Sequence, residues 1–206
     1  SGMMDRVKEL GQTAIAITDH GVMYGCIDFY KAAKAAGIKP IIGCEVYVAR
    51  RSMEDRVHGI DNDPYHLVLL CKDRKGYENL CLMVSEAFIN GFYGKPRVDL
   101  ALLEKYHEGL ICCSACIGGE IPKLILAGRI EEAEQAILWH KNLFGDDYYL
   151  ELQRHKATVE RANHETYPMQ QRVNEQLVAL ARKHNVKLIC TNDVHFVNEE
   201  DAEAHD

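Results

Sequence analysis

The sequence predicts an α/β fold, a parallel sheet covered by helices and rolled into most of a barrel. Three observations carry that prediction. Apolar segments of strand length alternate with segments of helical periodicity along the whole chain. The strand-length segments are apolar nearly throughout, the pattern of strands covered on both faces. Neither Gly-x-Gly-x-x-Gly nor Gly-Lys-Ser/Thr occurs, so a nucleotide-binding doubly wound sheet has no positive support and a barrel is the better reading.

The elements follow in order. Residues 4–10 end a helix stopped by Gly11. Residues 14–17, Ala-Ile-Ala-Ile, form a short buried strand that runs into the polar turn Thr18-Asp19-His20-Gly21. Residues 27–36 carry Ala and Lys at helical spacing and close on Gly37, a usual stop signal. Residues 40–48 make a second strand, apolar almost throughout except for Glu45, and the charged Gly/Asn/Asp-rich segment 50–64 reads as an exposed loop. A third strand at 66–70, a helix at 77–89, a loop at 90–97 and a short helix at 100–106 lead to a fourth strand at 110–113. Helices at 120–126 and 131–144 flank Gly128, followed by a fifth strand at 148–152, a long helix at 167–184 and a sixth strand at 186–190.

With 206 residues, 47% of them hydrophobic, the chain has enough apolar surface for one sizeable core. The net charge of −7 argues against this chain alone forming a tight, sequence-independent DNA clamp. No apolar run approaches the roughly 18 residues that would span a bilayer, and the first residues lack a secretory pattern. The eight cysteines mostly sit in apolar runs, which argues against a zinc ribbon and for a reducing cytosol.

In barrels of this kind the chemistry sits at the carboxyl ends of the strands. The first strand ends in Asp19 and His20; the second contains Glu45, a carboxylate that would be costly to bury alone. The fourth is followed by Cys116, and the sixth by Asp193 and His195, two apart and therefore on one side of an extended segment. His66 alternates with Val68 and Leu70 but stands near the start of its strand, where it fits the strand-end rule poorly. Taken singly, a buried histidine or cysteine is more often core than ligand. Together these His, carboxylate and thiol groups point to a divalent metal site suited to zinc, manganese or iron better than to magnesium alone. Such a site fits phosphoester chemistry, with Glu45 able to bridge two cations.

The segments 14–21 (AIAITDHG), 37–45 (GIKPIIGCE) and 191–196 (TNDVHF) resemble the polymerase and histidinol phosphatase (PHP) domain at the amino end of bacterial replicative DNA polymerase III α subunits. Segments 65–70 (YHLVLL), 116–120 (CIGGE) and the closing 200–206 are similar too. The resemblance implies a distorted (β/α)7 barrel holding up to three divalent metals, zinc or manganese. It places Asp19, His20, Glu45, His66, Cys116, Asp193 and His195 at seven of nine cluster positions. Glu45 is then the bridging carboxylate, His66 and Cys116 share one metal, His20 and His195 serve another, and Asp193 serves a further one beside Glu45. Glu45, Asp193 and His20 are the implied catalytic residues, while His155 is left as a loop histidine.

The family's first motif, a strand with His-x-His and then Tyr-Ser-Leu-Leu-Asp-Gly, does not occur. Residues 1–206 are therefore expected to form a single PHP domain without its first strand and without the polymerase body. Implied functions are 3′–5′ exonuclease or pyrophosphate-directed phosphatase activity and support of a DNA polymerase, whose own site uses magnesium on carboxylates this chain lacks. The implied partners are the rest of the α subunit, DNA through the full-length protein, and a proofreading exonuclease, in the cytoplasm with no membrane. The alternatives are a free-standing histidinol-phosphatase-like phosphoesterase and a non-catalytic docking module.

Overall fold

The computed structural model describes residues 2–156 and 166–201. In chain order the elements are α1 (Gly2–Glu9), β1 (Ala14–Ile17), α2 (Cys26–Ala35), β2 (Lys39–Val48), β3 (Tyr65–Cys71), α3 (Arg74–Ile89), β4 (Arg97–Val98), α4 (Leu100–Tyr106), β5 (Leu110–Cys113), α5 (Glu120–Leu126), α6 (Ile130–Phe144), β6 (Tyr148–Leu152), α7 (Thr166–His184) and β7 (Lys187–Cys190). A single turn of 3-10 helix, Gly145–Asp147, joins α6 to β6.

Six strands form one continuous sheet in the order β1-β2-β3-β5-β6-β7, and the two-residue β4 pairs with β2 beside that path. Strand β4 lies at the end of a segment the sequence reads as loop, too short to show any periodicity. The sheet is also not all parallel. Strand β3 runs antiparallel to both β2 and β5, whereas β1–β2, β5–β6 and β6–β7 are parallel. The reason lies in the connection. A parallel return needs a crossover, usually a helix, and residues 50–64 supply none.

The residues of β2 alternate between two faces. Cys44, Val46 and Val48 join Leu67 and Leu69 of β3, Cys112 of β5 and Leu150 of β6 in the main core, against Leu80 and Met83 of α3, Ile137 of α6 and Leu177 of α7. A smaller cluster, Met4, Val7, Phe29, Ala33 and Ile38, seats α1 and α2 on the β1 side of the sheet. Helix starts are set by Asp73 and Asp99, whose carboxylates accept the amides of Gly76 and Leu102.

The opposite face is the inside of a curled sheet. Register places Glu45, Val68, Cys113, Tyr149 and Lys187 in one row across β2, β3, β5, β6 and β7. Curling brings the two ends of the sheet back together, since Nε2 of His20, just after β1, lies 3.4 Å from Nε2 of His195, just after β7. Among the described residues β1 and β7 do not pair with each other, so the cylinder stays open along one seam.

Candidate metal centre

Glu45 is the hub. It sits on the inner face of β2, 4% exposed, and each of its oxygens meets a histidine. Oε2 lies 2.8 Å from His20 Nδ1 and Oε1 lies 3.0 Å from His66 Nδ1. Cys116 Sγ is 3.8 Å from Glu45 Oε1 and 3.6 Å from His66 Nδ1. Backbone pairing sets this convergence. The β1 ladder continues past the strand as a bridge from His20 to Glu45, with the Glu45 amide donating to Asp19 O and the Gly21 amide to Glu45 O. A second bridge joins His66 to Gly119, and the His66 amide donates to Gly118 O.

The reversed β3 explains His66. Because this strand runs against its neighbours, its first residues lie at the mouth formed by the carboxyl ends of the parallel strands. A histidine at a strand's beginning thus meets ligands placed beyond strand ends.

Two glycines let the backbone come close. Gly21 has φ +69° and no room for a side chain, because a Cβ there would lie 2.9 Å from the Tyr47 ring. At Gly118 a Cβ would lie 2.9 Å from His66 Nδ1. Tyr47 walls the site, its ring stacked 6.4 Å from that of His20 and edge-on at 5.5 Å to that of His66.

The third side of the mouth follows β7. His195 faces His20 through the paired Nε2 atoms, and its Nδ1 lies 2.8 Å from Asp193 O. Asp193 has φ 48°, in the left-handed region that aspartate tolerates better than most residues. Its charge reaches the centre: it helps raise the Cys116 thiol and the Glu151 carboxyl above their ordinary ranges.

Six of the seven sequence-predicted residues therefore gather at one mouth: His20, Glu45, His66, Cys116, Asp193 and His195. Asp19 points elsewhere. Consecutive residues of an extended segment face opposite sides, and with His20 turned to Glu45 the Asp19 carboxylate lies against Gly25 and adds to the raised pKa of the Cys26 and Cys44 thiols. His155 bonds to Gln170 through its amide and Nδ1, away from the cluster. The closing segment 202–206 lies outside the described residues.

A cation fits this donor set. One ligand atom from each of His20, Glu45 and His66 lies within 4.8 Å of the other two. Two imidazole nitrogens facing each other at 3.4 Å share at most one proton, an arrangement a metal satisfies without one. Burial, then the Glu45 and Asp193 charges, push the Cys116 thiol up to about 12, so that a cation must displace its proton to gain a thiolate ligand. Nitrogen, oxygen and sulfur donors together suit a divalent transition-metal ion. Cys113 and Cys116 have C-x-x-C spacing; both thiols are free, and Cys113 is buried on β5.

One residue of this mouth is not visible in the strand-end reading. Glu151, 5% exposed, lies on the inner face of β6, two residues beyond Tyr149. The signal was the one that singled out Glu45: a carboxylate on the inward alternation of an otherwise apolar strand.

Comparison with known proteins identifies the family. The PHP domain family profile matches residues 1–155. The chain is 49% identical over its whole length to a DNA polymerase III subunit alpha from Borreliella burgdorferi, and 44% identical over 94% of its length to one from Thermus aquaticus. It spans 17% and 15% of the length of those two relatives. A crystal structure described as a metal-dependent phosphoesterase, from Bifidobacterium adolescentis, superposes with a TM-score of 0.52 at 15% identity, covering 94% of this chain and 81% of that one, which supports the fold alone. With a family match across most of its length, the chain belongs to the PHP domain family.

Proposed function

We propose that this chain is the metal-binding PHP domain of a replicative DNA polymerase III α subunit, and that its mouth is a phosphoesterase centre acting on a nucleic-acid 3′ end or on pyrophosphate. The observation that supports this best is the meeting of His20, His66 and Cys116 around the buried carboxylate of Glu45. Divalent cations bound there, zinc or manganese, supply positive charge to a phosphoryl group and lower the pKa of a water. The chain's own residues do the rest. Glu45 sets the spacing between the His20 and His66 sides, Tyr47 shields one wall, and Asp193 and His195 close the other. Nothing in this set is a polymerase palm, so nucleotide addition, with its magnesium, belongs to the remainder of the α subunit, through which the full-length protein also holds DNA; a proofreading exonuclease subunit is a further partner of this reading.

The open seam between β1 and β7 supports one further part of this reading. Both edge strands are short, four residues each, and among the described residues neither pairs with the other. Each therefore keeps a free pairing edge to which a further parallel strand would add, bringing further ligands to the side of the mouth where His20 meets His195.

Elemental analysis of the full natural chain, purified without chelator, tests the proposal. Bound zinc or manganese, with affinity weakened at least about ten-fold in Glu45→Gln, is the expected result, together with loss of nucleoside monophosphate release from a primer 3′ end or of phosphate release from pyrophosphate. A metal-free chain would leave only a docking role.

A further inference from the structure

Strain and hydrogen bonding single out a residue outside the set of proposed ligands. Among the described residues, three non-glycine positions have positive φ: Ala115 (67°), Asn185 (52°) and Asp193 (48°). Asn185 follows the end of α7, an ordinary place for such a conformation. The other two stand at the mouth, Ala115 immediately before Cys116 and Asp193 as a ligand candidate itself. Alanine gains nothing there from its side chain, so this turn must be held from outside.

Glu151 does the holding. Its Oε2 accepts the Ala115 amide at 2.5 Å and its Oε1 accepts the Thr191 hydroxyl at 2.7 Å. Thr191 follows β7 and begins the segment that leads through Asn192 to Asp193 and His195; its own amide donates to Leu152 O. The Ser114 hydroxyl accepts the Glu151 amide, and the Gln153 side-chain amide donates to Thr191 Oγ1. One buried carboxylate on β6 thus spans the two neighbouring strand ends, fastening the Cys116 turn with one oxygen and the root of the Asp193–His195 segment with the other.

We infer that Glu151 is a positioning residue of the metal centre, clamping the Cys116 turn and the Asp193–His195 segment at the separation at which both reach the same cations. This rests on the metal-centre reading, and it assigns Glu151 no contact with metal or substrate. A core carboxylate serving stability alone would need no bond to a strained turn at one ligand and to the approach of two others. A bond of this kind orients a ligand and tunes metal affinity without touching the ion.

Cobalt(II) titration of the full natural chain separates the possibilities. The wild type is expected to bind cobalt with a thiolate-to-cobalt charge-transfer band from Cys116. Glu151→Gln, which cannot accept both bonds, is expected to weaken cobalt binding about ten-fold or more and to diminish that band. Thr191→Val removes only the second bond and is expected to weaken binding while retaining the band; Thr191→Ser keeps a hydroxyl and restores wild-type affinity. The two Thr191 variants decide the matter if Glu151→Gln does not fold. Unchanged affinity and band in Glu151→Gln, or equal affinities in Thr191→Val and Thr191→Ser, overturn the assignment while leaving the metal centre intact. A wild type that binds no cobalt overturns the metal centre and this role of Glu151 with it.

Discussion

The buried carboxylate of Glu45 organises the mouth because each of its oxygens meets a histidine, which offsets the cost of removing it from water. Glu45 was legible in the sequence for that reason: an acidic residue inside the run Ile41–Val48 must find partners. Asp19 shows where such reading fails. It lies beside a true member of the cluster, and sequence adjacency cannot distinguish two neighbours that face opposite ways until the pairing of the strand is known. The close approach at Gly118 yields a prediction on the same scale. In Gly118→Ala the new methyl meets the His66 ring, whose far edge can swing, so the fold is expected to lose only about 1 kcal/mol in a thermal melt. Metal affinity is expected to drop about ten-fold or more, because the swing takes Nδ1 away from Glu45 and Cys116. Equal affinities in the two proteins would show that His66 is no ligand.

Boundaries of most strands and helices were readable from apolar runs and from stops such as Gly11, Gly37 and Gly128, all with positive φ. Strand direction was less accessible. Residues 50–64 carried the signal, a connection without a helix, but it becomes informative only once β2 and β3 are known to be neighbours. That loop is itself well fastened. The Arg51 guanidinium donates to both oxygens of Asp61, which also accepts the Val57 amide. Fully buried Arg97 donates to the carbonyls of Gly91, Asp61 and Met53. The Arg51 hydrogen bond holds the Asp61 carboxyl below its usual range. A carboxylate lowered in this way stabilises the folded state above its unfolded pKa, about 3.9, and the contribution is lost as pH falls through the lower folded value. The melting-temperature advantage of wild type over Asp61→Asn should therefore be full at neutral pH and shrink below about pH 4. An advantage constant down to about pH 2 would mean that charge is not what locks the loop.

On the scale of the molecule, the curl of the sheet brings residues 175 positions apart, His20 and His195, face to face. Local patterning does not reveal such a contact, because the curl is a sum of small twists over six strands. The seam left between β1 and β7 predicts a chemical difference. Cys190, at the end of β7, is the exposed thiol among eight free cysteines, and it should react with a maleimide reagent faster in the isolated 206-residue chain than in the full natural protein. Equal rates, measured by mass shift under native conditions, would mean that nothing fills the seam.

The reversal of β3 has a mechanical corollary. Every other donor at the mouth hangs from, or just beyond, a strand that has already been laid down, whereas His66 is fed in by the crossing that precedes its strand. That crossing is the part gripped by Arg51 and Asp61. His66 thus enters the mouth from the opposite direction to its companions, and the backbone bridge to Gly119 ties it to the turn that carries Cys116.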